Sequence, residues 1–126
     1  MTYLCSKNNM KRIYHLKSCS TNVRILKELN LEGVELINIK EQNIDEQTLD
    51  QLAQKVGSYE ALFSKKATKY KTLGLKEQGL TEADYKKLML EEYTFLKRPF
   101  IMVDDQVFIG NAKDTVEAAK LALPQL

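Results

Sequence analysis

Residues 12–39 narrow the possible folds of this chain more than any other stretch. "RIYH" (12–15) is a short apolar run, and "VELINI" (34–39) alternates and contains β-branched residues, so both read as strands. Between them, Val23, Leu26 and Leu29 space one apolar face of a helix. Ser20 and Thr21 offer hydroxyls to the exposed amides of that helix's first turn, and "NLEG" around Gly33 stops it. Strand, helix and strand within about 30 residues form a crossover unit, which is right-handed and lays its two strands parallel.

The middle of the chain is helical. Asp45 stands where it can cap a segment whose Leu49, Leu52, Ala53 and Val56 share a face, with Gly57 as its stop. A second helical stretch, "SYEALFSKKATKYKTLGL", is broken by polar and basic residues at 64–66. A third starts at "TEAD", where Thr81 and Asp84 have capping-box spacing and Tyr85, Leu88 and Met89 face inward. The period then changes. "PFIMVDDQVFIG" is two apolar runs joined by Asp104 and Asp105, the pattern of a tight antiparallel hairpin. Pro99 sits at the start of the first of these strands, where its missing N–H does least harm. A closing helix runs from about Ala112, capped by Asn111, with Val116, Ala119 and Leu123 inward. The order β-α-β, helices, β-β-α predicts an α/β chain with a thioredoxin-like fold. It has a four-stranded mixed sheet in a single domain over residues 10–126, with a helical insertion over about 45–95. Residues 1–9 are polar and aperiodic and read as a flexible lead-in, upstream of a natural start at Met10.

Composition excludes several classes of function. The chain has 126 residues, 44% of them hydrophobic, which suits one compact core. A net charge of +2 is too small to argue for direct nucleic-acid or membrane binding. No apolar run approaches the roughly 18 residues that span a bilayer, and the first residues lack a secretory pattern. Two cysteines, Cys5 and Cys19, and one histidine make neither a disulfide framework nor a metal site. The expected setting is the reducing cytoplasm, with no bound cofactor.

Chemistry concentrates at "YHLKSCSTN" (14–22). Cys19 lies in the loop after the first strand, at the mouth of the first helix, where free amides and the positive end of the helix dipole favour thiolate over thiol. Lys17 adds positive charge two residues upstream. The motif is C-S-T-N, with Asn22 where a C-x-x-C pair has its second thiol, so a Cys19 adduct must be cleared by an external thiol or by a cysteine from elsewhere, Cys5 included. A small, inert cysteine at a helix start is the competing reading. His15, four positions before the thiol, can orient the loop or, when charged, favour the thiolate. Arg98, just before Pro99, comes near the Cys19 loop in a thioredoxin-like layout and can hold an oxyanion with two hydrogen bonds. Among the basic residues Lys65, Lys66, Lys69 and Lys71, mostly a solvated face, one near Lys65 can attract an anion.

These residues bring in a resemblance. The chain resembles the glutaredoxin-linked arsenate reductase family, which also contains the Spx-type transcription regulators. The likeness covers nearly everything from Met10 onward. It rests on "IYHLKSCST" with its His-x-x-x-Cys spacing, on "LFSKKATKYKTLGL", and on "LTEADYKKLMLEEYTFLKRPFIMVDDQVFIGN". The resemblance implies a nucleophile at Cys19 whose thiolate attacks arsenate, glutathione as thiol co-substrate and glutaredoxin as the reductant of the mixed disulfide. It implies that His15 supports the low pKa of the cysteine, that Arg98 helps bind the oxyanion, and that Pro99 is cis. Lys17, Ser20, Thr21 and Lys65 complete the expected anion-binding set.

The chain also departs from the reductases. They carry arginines where it has Ser64 and Val23, and Arg24 points about 100° away on the helix. Without those forks the grip on a tetrahedral oxyanion weakens. The expectation is therefore a single-cysteine thiol oxidoreductase whose natural substrate need not be arsenate. The alternative is an Spx-like protein that binds RNA polymerase or another partner without catalysis, and without a C-x-x-C switch.

Overall fold

The computed structural model describes residues 11–104 and 106–123. The lead-in over 1–9, Cys5 and Asp105 lie outside them. The described chain forms two compact units, one built from the residues up to Gln42 together with Arg98 onward, the other spanning Asn43–Lys97.

The first unit holds the sheet. Strand β1 (Lys11–His15) is followed by helix α1 (Ser20–Glu28) and strand β2 (Glu35–Asn38). Strands β3 (Phe100–Val103) and β4 (Gln106–Ile109) and a closing helix (Lys113–Ala122) complete it. The sheet order is β2-β1-β3-β4. β1 runs parallel to β2, with Ile13 opposite Leu36, and antiparallel to β3, with Ile13 opposite Ile101. The sheet is mixed and four-stranded, in the thioredoxin-like arrangement.

One face of this sheet is closed by the two helices. Ile13, Ile101 and Val103 pack with Ile25 and Leu29 from α1 and with Val116, Ala119 and Leu123 from the closing helix. Each of the isoleucine, leucine and valine side chains among them, fully withdrawn from water, is worth about 1.5–3 kcal/mol. The β3–β4 connection is the expected two-residue turn: Val103 pairs with Gln106, and Asp104 has φ 56°. Aspartate tolerates this left-handed conformation, which matches the twist of a hairpin.

Three local expectations are corrected. Helix α1 buries Asn22 and Ile25, and Val23 is exposed. The apolar face is rotated because Asn22 satisfies its polar atoms internally (below), so a polar side chain takes the inward slot that hydropathy reserves for Val23. The hydroxyls of Ser20 and Thr21 do not cap α1: Cys19 is the N-cap and the helix begins at Ser20 itself, ending at Glu28, short of Gly33. Asn111 does not cap the closing helix, whose N-cap is Ala112 with no side-chain cap bond.

The second unit is helical: α2 (Glu46–Val56), α3 (Thr68–Thr72) and α4 (Glu82–Glu91), with short 3₁₀ turns at Glu60–Leu62, Leu75–Gln78 and Tyr93–Phe95. Gly57 closes α2 at φ 104°, its N–H donating to the Ala53 carbonyl. Thr81 and Asp84 form the reciprocal capping box of α4. Phe63 is the hub of this unit's core, stacked on Phe95 at 4.9 Å and edge-on to Tyr85 and Tyr70. Among the described residues no helix is long and apolar enough to cross a membrane.

Candidate functional site

The loop between β1 and α1 is built by two asparagines. Leaving the sheet strips Leu16 and Lys17 of strand partners for their N–H groups, and such groups must be satisfied elsewhere. The Leu16 N–H donates to Asn22 Oδ1 at 2.9 Å, and the Lys17 N–H donates to Asn38 Oδ1 at 3.2 Å. The Cys19 N–H closes a turn onto the Leu16 carbonyl at 3.0 Å. Cys19 thus arrives at the N-cap in extended conformation (φ −91°, ψ 116°), and its carbonyl accepts the first helical bond, from Val23 N–H. The C-terminal end of β1 is held by the Ile39 N–H, which donates to the His15 carbonyl at 2.8 Å.

The sulfur of Cys19 is half-buried, and its thiol is free. Burial pushes its pKa up, but the backbone N–H groups of Asn22 and Thr21 and the Arg98 guanidinium, acting by charge and hydrogen bond, outweigh burial and hold it below the ordinary thiol value. The Cys19 side chain makes no conventional N-cap bond, and the first-turn amides act on the sulfur as partial charges. Asn22 Nδ2 stands 3.6 Å from Sγ.

Arg98 reaches this place because β3 pairs antiparallel with β1. Tyr14 lies opposite Phe100, so the two residues before Phe100 sit beside the end of β1, where the Cys19 loop departs. Pro99 is buried, its peptide with Arg98 is cis, and its carbonyl accepts from Gly110 N–H at 2.9 Å.

The remaining expected site residues have distinct settings. His15 is buried, and burial, then the charge of Lys17, lowers its pKa. Both effects disfavour its charged form, and among the described residues its Nδ1 has no hydrogen-bond partner. The Lys17 side chain and Ser20 are exposed, and Thr21 is half-buried. Lys65 belongs to the second unit, where its ammonium is engaged by Glu60 at 2.5 Å. It lines an open cleft of about 810 Å³ together with Tyr70, Lys71, Lys76 and Tyr85. Ser64 donates its N–H to the Phe95 carbonyl. Among the described residues no three His, Cys, Asp or Glu side chains gather as a metal site. Asn22 is the site residue that motif spacing does not reveal, beyond the absence of a second thiol there. The available signal was an asparagine on the inward face of an amphipathic helix, one turn after a cysteine.

Solved structures share this fold. The chain is 26% identical to the arsenate reductase from Vibrio cholerae, with a TM-score of 0.74 over 89% of this chain and 99% of that one. It is 26% identical to an arsenate reductase related protein from Brucella melitensis, with a TM-score of 0.63 over 86% of this chain and 92% of the other. A Staphylococcus aureus protein, 24% identical over 86% of this chain and 97% of its own, has the same fold at a TM-score of 0.71. No curated protein matches the chain in sequence. The family model described as the ArsC family matches residues 14–119, from the strand that delivers His15 to the helix that closes the sheet. With the cysteine loop, the cis proline and the hairpin all inside that span, the chain belongs to the ArsC family.

Proposed function

We propose that this protein is an arsenate-reductase-like thiol oxidoreductase in which Cys19 is the only nucleophile. The observation that carries the reading is the placement of half-buried Cys19 at the N-cap of α1, with Asn22 Nδ2 3.6 Å from its sulfur and its pKa held down by the Asn22 and Thr21 amides and the Arg98 guanidinium. These groups stabilise a thiolate, and they also favour the anionic oxygens of a substrate brought up to it.

On an oxyanion such as arsenate the steps are as follows. The Cys19 thiolate attacks arsenic(V), forming an S–As bond, and one oxygen leaves as water after protonation. A glutathione thiolate then attacks the Cys19 sulfur. The S–As electron pair departs with arsenic, which leaves as arsenite, and Cys19 remains as a mixed disulfide with glutathione. A glutaredoxin thiol attacks the glutathione sulfur and frees Cys19. Two electrons, one from each thiol of the disulfide formed, account for the reduction. Arg98 supplies a fork for the oxyanion, and Lys17, Ser20 and Thr21 belong to the loop and first helical turn that carry the sulfur. Val23 leaves the oxyanion with one fork fewer than the arsenate reductases have.

The test is arsenate reduction with glutathione and glutaredoxin. Cys19→Ser abolishes turnover, while Val23→Arg raises kcat/KM. Turnover that survives Cys19→Ser overturns the reading, as does an absence of Cys19-dependent turnover in every variant; capture of RNA polymerase subunits from extract then favours the regulatory alternative.

A further inference from the structure

We propose that Asn22 is the positioning residue of the Cys19 thiolate: its buried carboxamide anchors the loop with its oxygen and points its NH2 group at the sulfur. The inference rests on the reading of Cys19 as a nucleophile and adds the residue that aims it.

The side chain of Asn22 is 0% exposed, in a helix whose other fully inward residue is Ile25. A buried primary amide costs free energy unless both ends are satisfied. The orientation of the amide follows from its neighbours, not from its shape. The Leu16 N–H is a donor only, so the atom 2.9 Å from it must be the oxygen. The NH2 group is then forced toward Cys19, and it lies 3.6 Å from Sγ. A donor facing sulfur is a better partner for thiolate than for thiol. One side chain thereby couples two things: where the loop places the sulfur, and which charge state is favoured there. The same carboxamide fills the position from which a local second thiol would attack, which leaves Cys19 to external thiols.

The ionised group acting on the sulfur from the neighbouring strand is Arg98. Lys17, in the loop, bears on His15, whose charged form burial disfavours. Substitutions at position 22 keep both residues and the first-turn backbone N–H groups that act on the sulfur, so a shift seen there is assigned to loss of the carboxamide as donor and as anchor of the loop.

The experiment reads the thiol directly, in a Cys5→Ser background, by the pH dependence of iodoacetamide labelling. Asn22→Leu keeps the volume but removes both the donor to the sulfur and the acceptor of the Leu16 N–H, and raises the Cys19 midpoint by about one pH unit, a tenfold change in the thiol–thiolate equilibrium. Asn22→Asp keeps an acceptor for Leu16 N–H and sets a second negative charge beside the sulfur, so its midpoint rises further. A folded variant with an unchanged midpoint overturns the proposal. Where either variant fails to fold, the protein with Asn22 in place decides: its side-chain amide resonances move with the Cys19 ionisation midpoint, and resonances flat through that midpoint overturn the proposal. Because labelling needs no physiological substrate, a failure of the arsenate assay leaves this result readable on its own.

Discussion

At the scale of single residues, the site depends on which side chain wins each slot. Arg98 holds the Cys19 pKa down by charge and hydrogen bonding. Arg98→Met therefore raises the midpoint of Cys19 labelling, and Arg98→Lys, a point charge without the fork, falls between the two. His15 works in the opposite sense. Its folded pKa lies below the ordinary 6.5, so the folded state resists protonation there. The stability this leaves intact is complete above pH 6.5 and is lost as pH falls toward the folded value. Thermal unfolding followed from pH 7 to pH 5 shows a falling Tm, and His15→Gln flattens that fall. Cys19, His15 and Arg98 were legible as candidates because their residue types carry chemistry in any context. Asn22 was not, since its role is visible only when Leu16 N–H is seen to need an acceptor.

At the scale of elements, helix α1 is where hydropathy and packing part. Val23, Leu26 and Leu29 have good helical spacing, yet Ile25 is 1% exposed while Val23 is 39% exposed. The rotation follows from Asn22 turning inward, a polar satisfaction that a periodicity count does not weigh. Ile25→Ala is expected to cost about 2–5 kcal/mol, the range for opening a cavity in a packed core, and Val23→Ala no more than about 0.5 kcal/mol. Denaturant melts of the two variants check this, and equal losses would restore the unrotated face. The strands, the β3–β4 turn and the capping box of α4 were readable because each is fixed by residues adjacent in sequence. The N-caps of α1 and the closing helix, Cys19 and Ala112, lie one or two residues from the expected Ser20, Thr21 and Asn111, and they carry no local signal because they make no conventional side-chain cap bond.

At the scale of the whole molecule, the cysteine site exists only once distant parts of the chain meet. Residues 15–22 and Arg98 come together through the β1–β3 pairing, which no local pattern specifies, though the element order and the family likeness pointed to it. The helical unit has its own core, and Phe63→Ala there is expected to cost about 3–5 kcal/mol in a denaturant melt. The low pKa of Cys19 is likewise a property of the folded state. Its contribution to stability is fully present above the unfolded thiol pKa and is lost as pH falls through the folded one. The most direct measurement is the pH profile of Cys19 labelling, read by peptide mass spectrometry on native protein and on protein unfolded in guanidinium. The native midpoint lies clearly below about 8.5 and the unfolded midpoint near it. Two coincident midpoints near that value would contradict an activated thiolate at the head of the first helix.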